Sequence, residues 1–72
     1  MYYFHVHGPD GTAVDDEGAD FADIVGVREE AVTAVRELVA DGIRSGKGPN
    51  GREMRVADQA GKLVLTVRFR DA

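Results

Sequence analysis

His5-Val6-His7 places two imidazoles two residues apart. On a strand both would point to one face, and a His-x-His pair can share a metal when further ligands converge. Asp10, Asp15, Asp16 and Glu17 are the carboxylates near enough in sequence to complete such a set. Two polar residues on the solvent face of a strand explain the same spacing without a metal, and that is the preferred reading. The acidic run Asp15, Asp16, Glu17, Asp20, Asp23 suggests calcium at first sight. An EF-hand loop needs oxygen ligands at alternating positions before its glycine. With Gly18 as that glycine, the first ligand position would be Ala13, and the pattern breaks. A solvated acidic connector ending in a helix cap fits better.

Gly46-Lys47-Gly48-Pro49-Asn50-Gly51 matches G-x-G-x-x-G. A dinucleotide fingerprint must follow a strand and open a helix, so that the helix N-terminus meets the pyrophosphate. The periodicity here runs the other way, with a helical pattern before the glycines and a strand pattern after them. Gly42 to Gly48 resembles a P-loop but is one residue short and lacks the Ser or Thr that would hold magnesium. Ser45 is the only serine and cysteine is absent. No nucleophile, base and orienting acid can be grouped from this chain. The expectation is therefore a protein with no enzymatic activity, no cofactor and no bound metal.

The elements that would carry these residues are legible from periodicity. Tyr2 to His7 reads as a first strand, with Tyr2, Phe4 and Val6 on one face and Tyr3, His5 and His7 on the other. Gly8-Pro9-Asp10-Gly11 is a turn, and residues 12–15 read as a weak returning strand. Asp23 is the expected N-cap of a helix from about Ile24 to about Arg44. Ile24, Val27, Ala31, Val32, Val35, Leu38, Val39 and Ile43 form its apolar stripe. Gly26 and Gly42 weaken that helix unless they admit a close neighbour. Residues 45–51 end the helix in a loop.

Residues 52–70 read as one β-hairpin. Met54 and Val56 alternate before its turn; Leu63, Leu65, Val67 and Phe69 alternate after it. The expected fold is α+β with two layers: one amphipathic helix on a three- or four-stranded, mainly antiparallel sheet. The expected core is Phe4, Val6, Ile24, Ala31, Val35, Leu38, Val39, Met54, Val56, Leu63, Leu65, Val67 and Phe69, with Tyr2 beside it. One helix covers only one face. The other is the candidate interaction surface: Tyr3, His5, His7, Arg55, Val64, Thr66, Arg68 and Arg70.

Seventy-two residues make a single domain, here spanning 1–72, with too little bulk for an enclosed catalytic cleft. Domains this small and without disulfides often gain stability by association. The chain has no signal-like N-terminus and no apolar run of about 20 residues, so the expected location is the cytosol. It opens on Met with no tag-like segment and reads as a whole gene product. The net charge is −4. It is unevenly spread: residues 1–26 carry six carboxylates and no Lys or Arg, whereas residues 47–72 carry six basic and three acidic side chains. Either the acidic segment neutralises the hairpin within the fold, or the two patches serve a partner or a second copy. The expected partner is another protein or, most simply, a second copy of the chain, met through the open sheet face. A nucleic acid is the alternative, since aromatic and basic residues share the open face, although the chain is acidic and has no RNP-type motif.

Tyr2-Tyr3-Phe4-His5-Val6, Asp16-Glu17-Gly18, the helix with Glu37-Leu38-Val39-Ala40-Asp41, and Val56-x-Asp58-x-x-Gly61-x-Leu63-x-Leu65-x-Val67-x-Phe69 form one pattern over nearly the whole chain. It resembles a group of very short proteobacterial proteins known only as a domain of unknown function. The resemblance implies an α+β fold and a stand-alone cytosolic protein, and carries no active site with it. A weaker likeness is to the antitoxin half of HicAB-type modules, through Glu29-Glu30-Ala31 at the helix start. The connector lacks the proline-rich pattern of that group, and no DNA-binding segment follows. This likeness belongs with the regulatory, nucleic-acid-binding alternative.

Overall fold

A computed structural model describes all residues, 1–72. Strand β1 (Tyr3–Gly8) turns into a short β2 (Gly11–Ala13); helix α1 (Ile24–Arg44) follows; β3 (Glu53–Ala57) and β4 (Leu63–Arg68) form the hairpin; and a 3₁₀ turn, Phe69–Asp71, ends the fold. The sheet order is β2-β1-β3-β4, antiparallel throughout. This is the two-layer α+β fold expected from the periodicities. The weak strand is shorter than expected and fully exposed, so Val14 and Asp15 lie outside it.

The helix begins and ends where its sequence signals place it. The Asp23 side chain accepts a hydrogen bond from Gly26 N–H at 3.1 Å, satisfying one of the free donors of the first turn. At the other end Gly42 admits the chain reversal. A Cβ there would lie 2.9 Å from Lys47 O, and Lys47 N–H donates to Gly42 O. Its close neighbour is thus the following loop rather than the sheet. In the hairpin turn, the Asp58 carboxylate accepts from Ala60 N–H and Lys62 N–H, both at 2.9 Å.

Cross-strand register stacks Phe4 on Val56 and Leu65, and Val6 on Met54 and Val67, on the helix side. The fully buried centre is Val27, Ala31 and Val35 of the helix against Met54, Val56 and Phe69. Tyr2, Phe4, Val6, Leu38, Val39, Leu65 and Val67 pack around it and stay partly exposed. Phe69 reaches the core from the 3₁₀ turn rather than from the strand. Its N–H donates to Arg52 O at 3.0 Å, and the Arg52 guanidinium lies 4.5 Å from its ring centroid. Phe21, from the acidic connector, meets the Phe4 ring edge-on at 5.7 Å and the Tyr2 ring at 6.3 Å, closing the β1 end of the core.

Two expected core residues lie outside it. Ile24 is 48% exposed because α1 outruns the sheet. Its 21 residues extend about 31 Å, against roughly 20 Å for six-residue strands. Ile43 is 65% exposed because it falls on the flank of Val25 and Val32, whereas Gly42 beside it is buried. Leu63 is 55% exposed because of a register shift at Val56/Ala57. Ala57 pairs with Leu63 while Val56 pairs with Leu65, so Val64 is the extra residue of a bulge in β4. Past the bulge the alternation reverses. Leu63 joins the face opposite the helix, and Val64 packs against the core.

Replacing Phe69 by Ala is expected to cost about 3–5 kcal/mol, enough to unfold much of so small a domain. Leu63→Ala is expected to stay within about 0.5 kcal/mol of wild type. Urea melts of the two variants check both, and a costly Leu63→Ala would restore the unbulged register.

Candidate interaction surface

On the face away from the helix, register assembles three rows across β1, β3 and β4. They are Tyr3–Ala57–Leu63, His5–Arg55–Thr66 and His7–Glu53–Arg68. Six of the eight expected surface residues therefore share one face. Val64 does not, because the bulge turns it to the helix side and puts Leu63 in its place. Arg70 does not, because the chain has left the strand and entered the 3₁₀ turn by that point. Glu53 was missed by sequence reading. Its parity with Arg55 was the available signal, since residues two apart on a strand share a face.

Both arginines of this face are paired, Arg55 within the face and Arg68 with the 3₁₀ turn. Arg55 pairs with Glu53 at 3.2 Å, and Arg68 with Asp71 at 2.8 Å, while Arg70 approaches Asp71 at 4.0 Å. The Tyr3 and His5 rings stack nearly parallel, 5° apart with centroids at 6.5 Å. The imidazoles are engaged separately. His5 Nδ1 accepts Asp15 N–H at 3.1 Å, which puts the proton of the neutral ring on Nε2. His7 Nδ1 lies in hydrogen-bond contact with Thr12 Oγ1 at 3.1 Å. No third ligand-type side chain converges on either one. The glycine-rich loop follows a helix and precedes a strand, so no helix N-terminus faces it. A shallow depression of about 410 Å³ separates this loop from the β1–β2 turn. Lys47 lies there, but the Arg52 guanidinium beside it is committed to Phe69.

Asp15, expected at the end of the weak strand and in the solvated acidic run, has the largest structural role in the connector. Its carboxylate accepts Phe4 N–H at 3.0 Å, Glu17 N–H at 3.1 Å and Gly18 N–H at 3.2 Å. Next along the chain, Ala19 exchanges two backbone hydrogen bonds with Tyr2, at 2.8 and 2.9 Å. The acidic connector thus runs back along β1 and satisfies the edge that the three-residue β2 leaves bare. Gly18 makes the turn possible. Its φ is +70°, and a Cβ would lie 2.8 Å from Tyr3 Cε2 and 3.0 Å from Tyr2 O. The acidic segment does not neutralise the hairpin. No ion pair joins the two; Asp20 instead lies 3.5 Å from the Met1 amine, and the other pairs are local.

The Phe4 N–H chiefly holds the Asp15 carboxyl below its ordinary value of 3.8; burial opposes this, and the Gly18 and Glu17 N–H groups and His5 add to it. A carboxylate whose pKa is depressed by folding stabilises the fold fully above its unfolded pKa. That stabilisation is lost as pH falls through the lowered, folded value. Asp15→Ala is expected to cost about 1–3 kcal/mol at neutral pH. Asp15→Asn is expected to flatten the acid limb of the stability curve below pH 3.8. Gly18→Ala is expected to destabilise at every pH. Denaturant melts of the three variants from neutral to acid pH check these outcomes, and an unchanged acid limb in Asp15→Asn would remove Asp15 from this role.

No helix of the chain is long and apolar enough to cross a membrane. No curated protein and no solved structure matches the chain. One family model does, and it spans the strand, connector, helix and hairpin from residue 1 to residue 70. The chain belongs to that family, described as a domain of unknown function, DUF6894.

Proposed function

We propose that this domain is a small, non-catalytic protein-interaction module of the cytosol whose uncovered sheet face docks a partner protein. The observation that carries the reading is the composition of the three rows. A preformed Tyr3–His5 stack and an exposed Leu63 lie among Arg55, Thr66 and the Glu53 carboxylate. Tyr and Arg are enriched at protein interfaces, and a rigid surface loses little entropy on binding.

Nucleic-acid binding, including a HicB-like regulatory role, uses the same face. The stacked Tyr3 and His5 rings favour it, as a platform for an unpaired base. The ion pairs weigh against it, because Arg55 and Arg68 already hold carboxylates that would repel phosphates. Affinity capture from the source cells is expected to recover a protein that an Arg55→Glu, Leu63→Lys variant loses, with the variant still folded by circular dichroism. Labelled single-stranded RNA is expected not to shift at moderate salt. RNA binding with a steep salt slope, abolished by Arg55→Glu with Arg68→Glu, would replace the protein reading with the nucleic-acid one.

A further inference from the structure

The two edges of the sheet differ. The β1 edge is closed by β2, by the Asp15 carboxylate on Phe4 N–H, and by Ala19 on Tyr2. The β4 edge has no neighbouring strand. Phe69 N–H donates to Arg52 O, and antiparallel pairing alternates from there. Leu65 and Val67 therefore direct their N–H and C=O groups at β3, while Thr66 and Arg68 direct theirs outward. Leu63 to Val67 contains neither charge nor proline, and only the Val64 bulge and the terminal Arg68 guard this edge.

Above this edge, α1 lies over β3 and β4. A groove of about 650 Å³ runs between Arg28, Val32 and Arg36 of the helix and Leu65 and Val67 of the strand, with Asp71 and Ala72 of the C-terminal turn also lining it. Val25, Val32 and Val39 recur every seven residues, in a line separate from the buried Val27, Ala31 and Val35. Val25 is 61% exposed.

We propose that this edge is a homodimer interface. In it β4 pairs antiparallel with β4 of a second copy about a two-fold axis at Thr66, and the two α1 helices pack antiparallel across the groove. The register sets Thr66 opposite Thr66 of the second copy, with their outward backbone groups paired. It sets Leu65 opposite Val67 of the second copy on the helix side, apolar against apolar. The axis lies half a strand spacing beyond β4, and α1 lies between β3 and β4. The two helix axes are then about 10 Å apart, a normal packing distance. An antiparallel helix pair centred between Val32 and Thr33 sets Glu29 opposite Arg36 of the second copy, and Arg36 opposite its Glu29; the two residues are seven apart and so share one helix flank with Val32. Neither Glu29 nor Arg36 has an ion-pair partner within the chain. The groove brings Val32 beside Leu65 and Val67, so one axis serves strands and helices alike. A foreign strand would satisfy the edge but not Glu29 and Arg36, which is why the occupant is a second copy. The paired sheet would run continuously over eight strands and leave both open faces free, so this interface stands or falls independently of the docking face.

Sedimentation of the full chain at tens of micromolar is expected to show a dimer. Glu29→Arg is expected to weaken it about tenfold or more, because each dimer holds two copies of the pair, and adding Arg36→Glu is expected to restore it. The chain has no cysteine of its own. A Thr66→Cys variant is expected to cross-link to itself on mild oxidation, since paired Cα atoms about 5.5 Å apart suit a disulfide. Gln59→Cys, in the hairpin turn, is expected to stay monomeric. A monomeric wild type at hundreds of micromolar, a dimer indifferent to Glu29→Arg, or equal cross-linking of the two cysteine variants would overturn the proposal.

Discussion

One helix of 21 residues is the only layer available to cover a four-stranded sheet. A helix is about 10 Å wide and strands lie about 4.8 Å apart, so α1 shields little more than two strands. It lies over β3 and β4, where Val27, Ala31 and Val35 meet Met54, Val56 and Phe69. The helix-side face of β1 is left to other residues. Phe21 covers it from the connector, with Tyr2 and Phe4 edge-on around it. The opposite face of all four strands is left to solvent or to a partner. The overhanging helix start follows from the same mismatch of lengths.

Holding Phe21 in place requires an anchored connector, and carboxylates supply the anchor by binding backbone N–H groups rather than arginines. Asp15 gathers Phe4, Glu17 and Gly18; Asp23 caps α1; Asp58 closes the hairpin turn. Short acidic side chains suit this work because they reach local donors at little cost in rotamer entropy. Two of the six N-terminal carboxylates, Asp15 and Asp23, thus have a structural role. The charge imbalance along the chain does not arise from attraction between the acidic and basic segments, which no ion pair joins.

The same economy divides the surface. The β1 edge carries three separate backbone guards, whereas β4 carries only its bulge and a terminal Arg68. The bulge has two effects there. It moves Leu63 onto the open face and draws Val64 toward the core, so one irregularity alters the docking face and the groove side together. A face whose arginines are paired can meet a partner without leaving unpaired ions buried, the arrangement that would otherwise weaken binding.

Local chemistry alone determined the helix and its Asp23 cap, the hairpin, the alternation that separates Phe4, Val6, Met54, Val56, Leu65 and Val67 from Tyr3, His5, Arg55 and Thr66, and the absence of any motif in the right order for phosphate. These rest on periods of 3.6 and 2 and on turn chemistry, which neighbouring residues carry among themselves. Tertiary structure decided the rest. The bulge that exchanges Leu63 and Val64 exists only relative to β3, and the exposure of Ile24 depends on where the sheet stops beneath the helix. Asp15 became an anchor only when β1 presented a bare N–H eleven residues away, and Gly18 became obligatory only when Tyr3 packed against it. Each depends on a distance between residues remote in sequence, which no local pattern encodes.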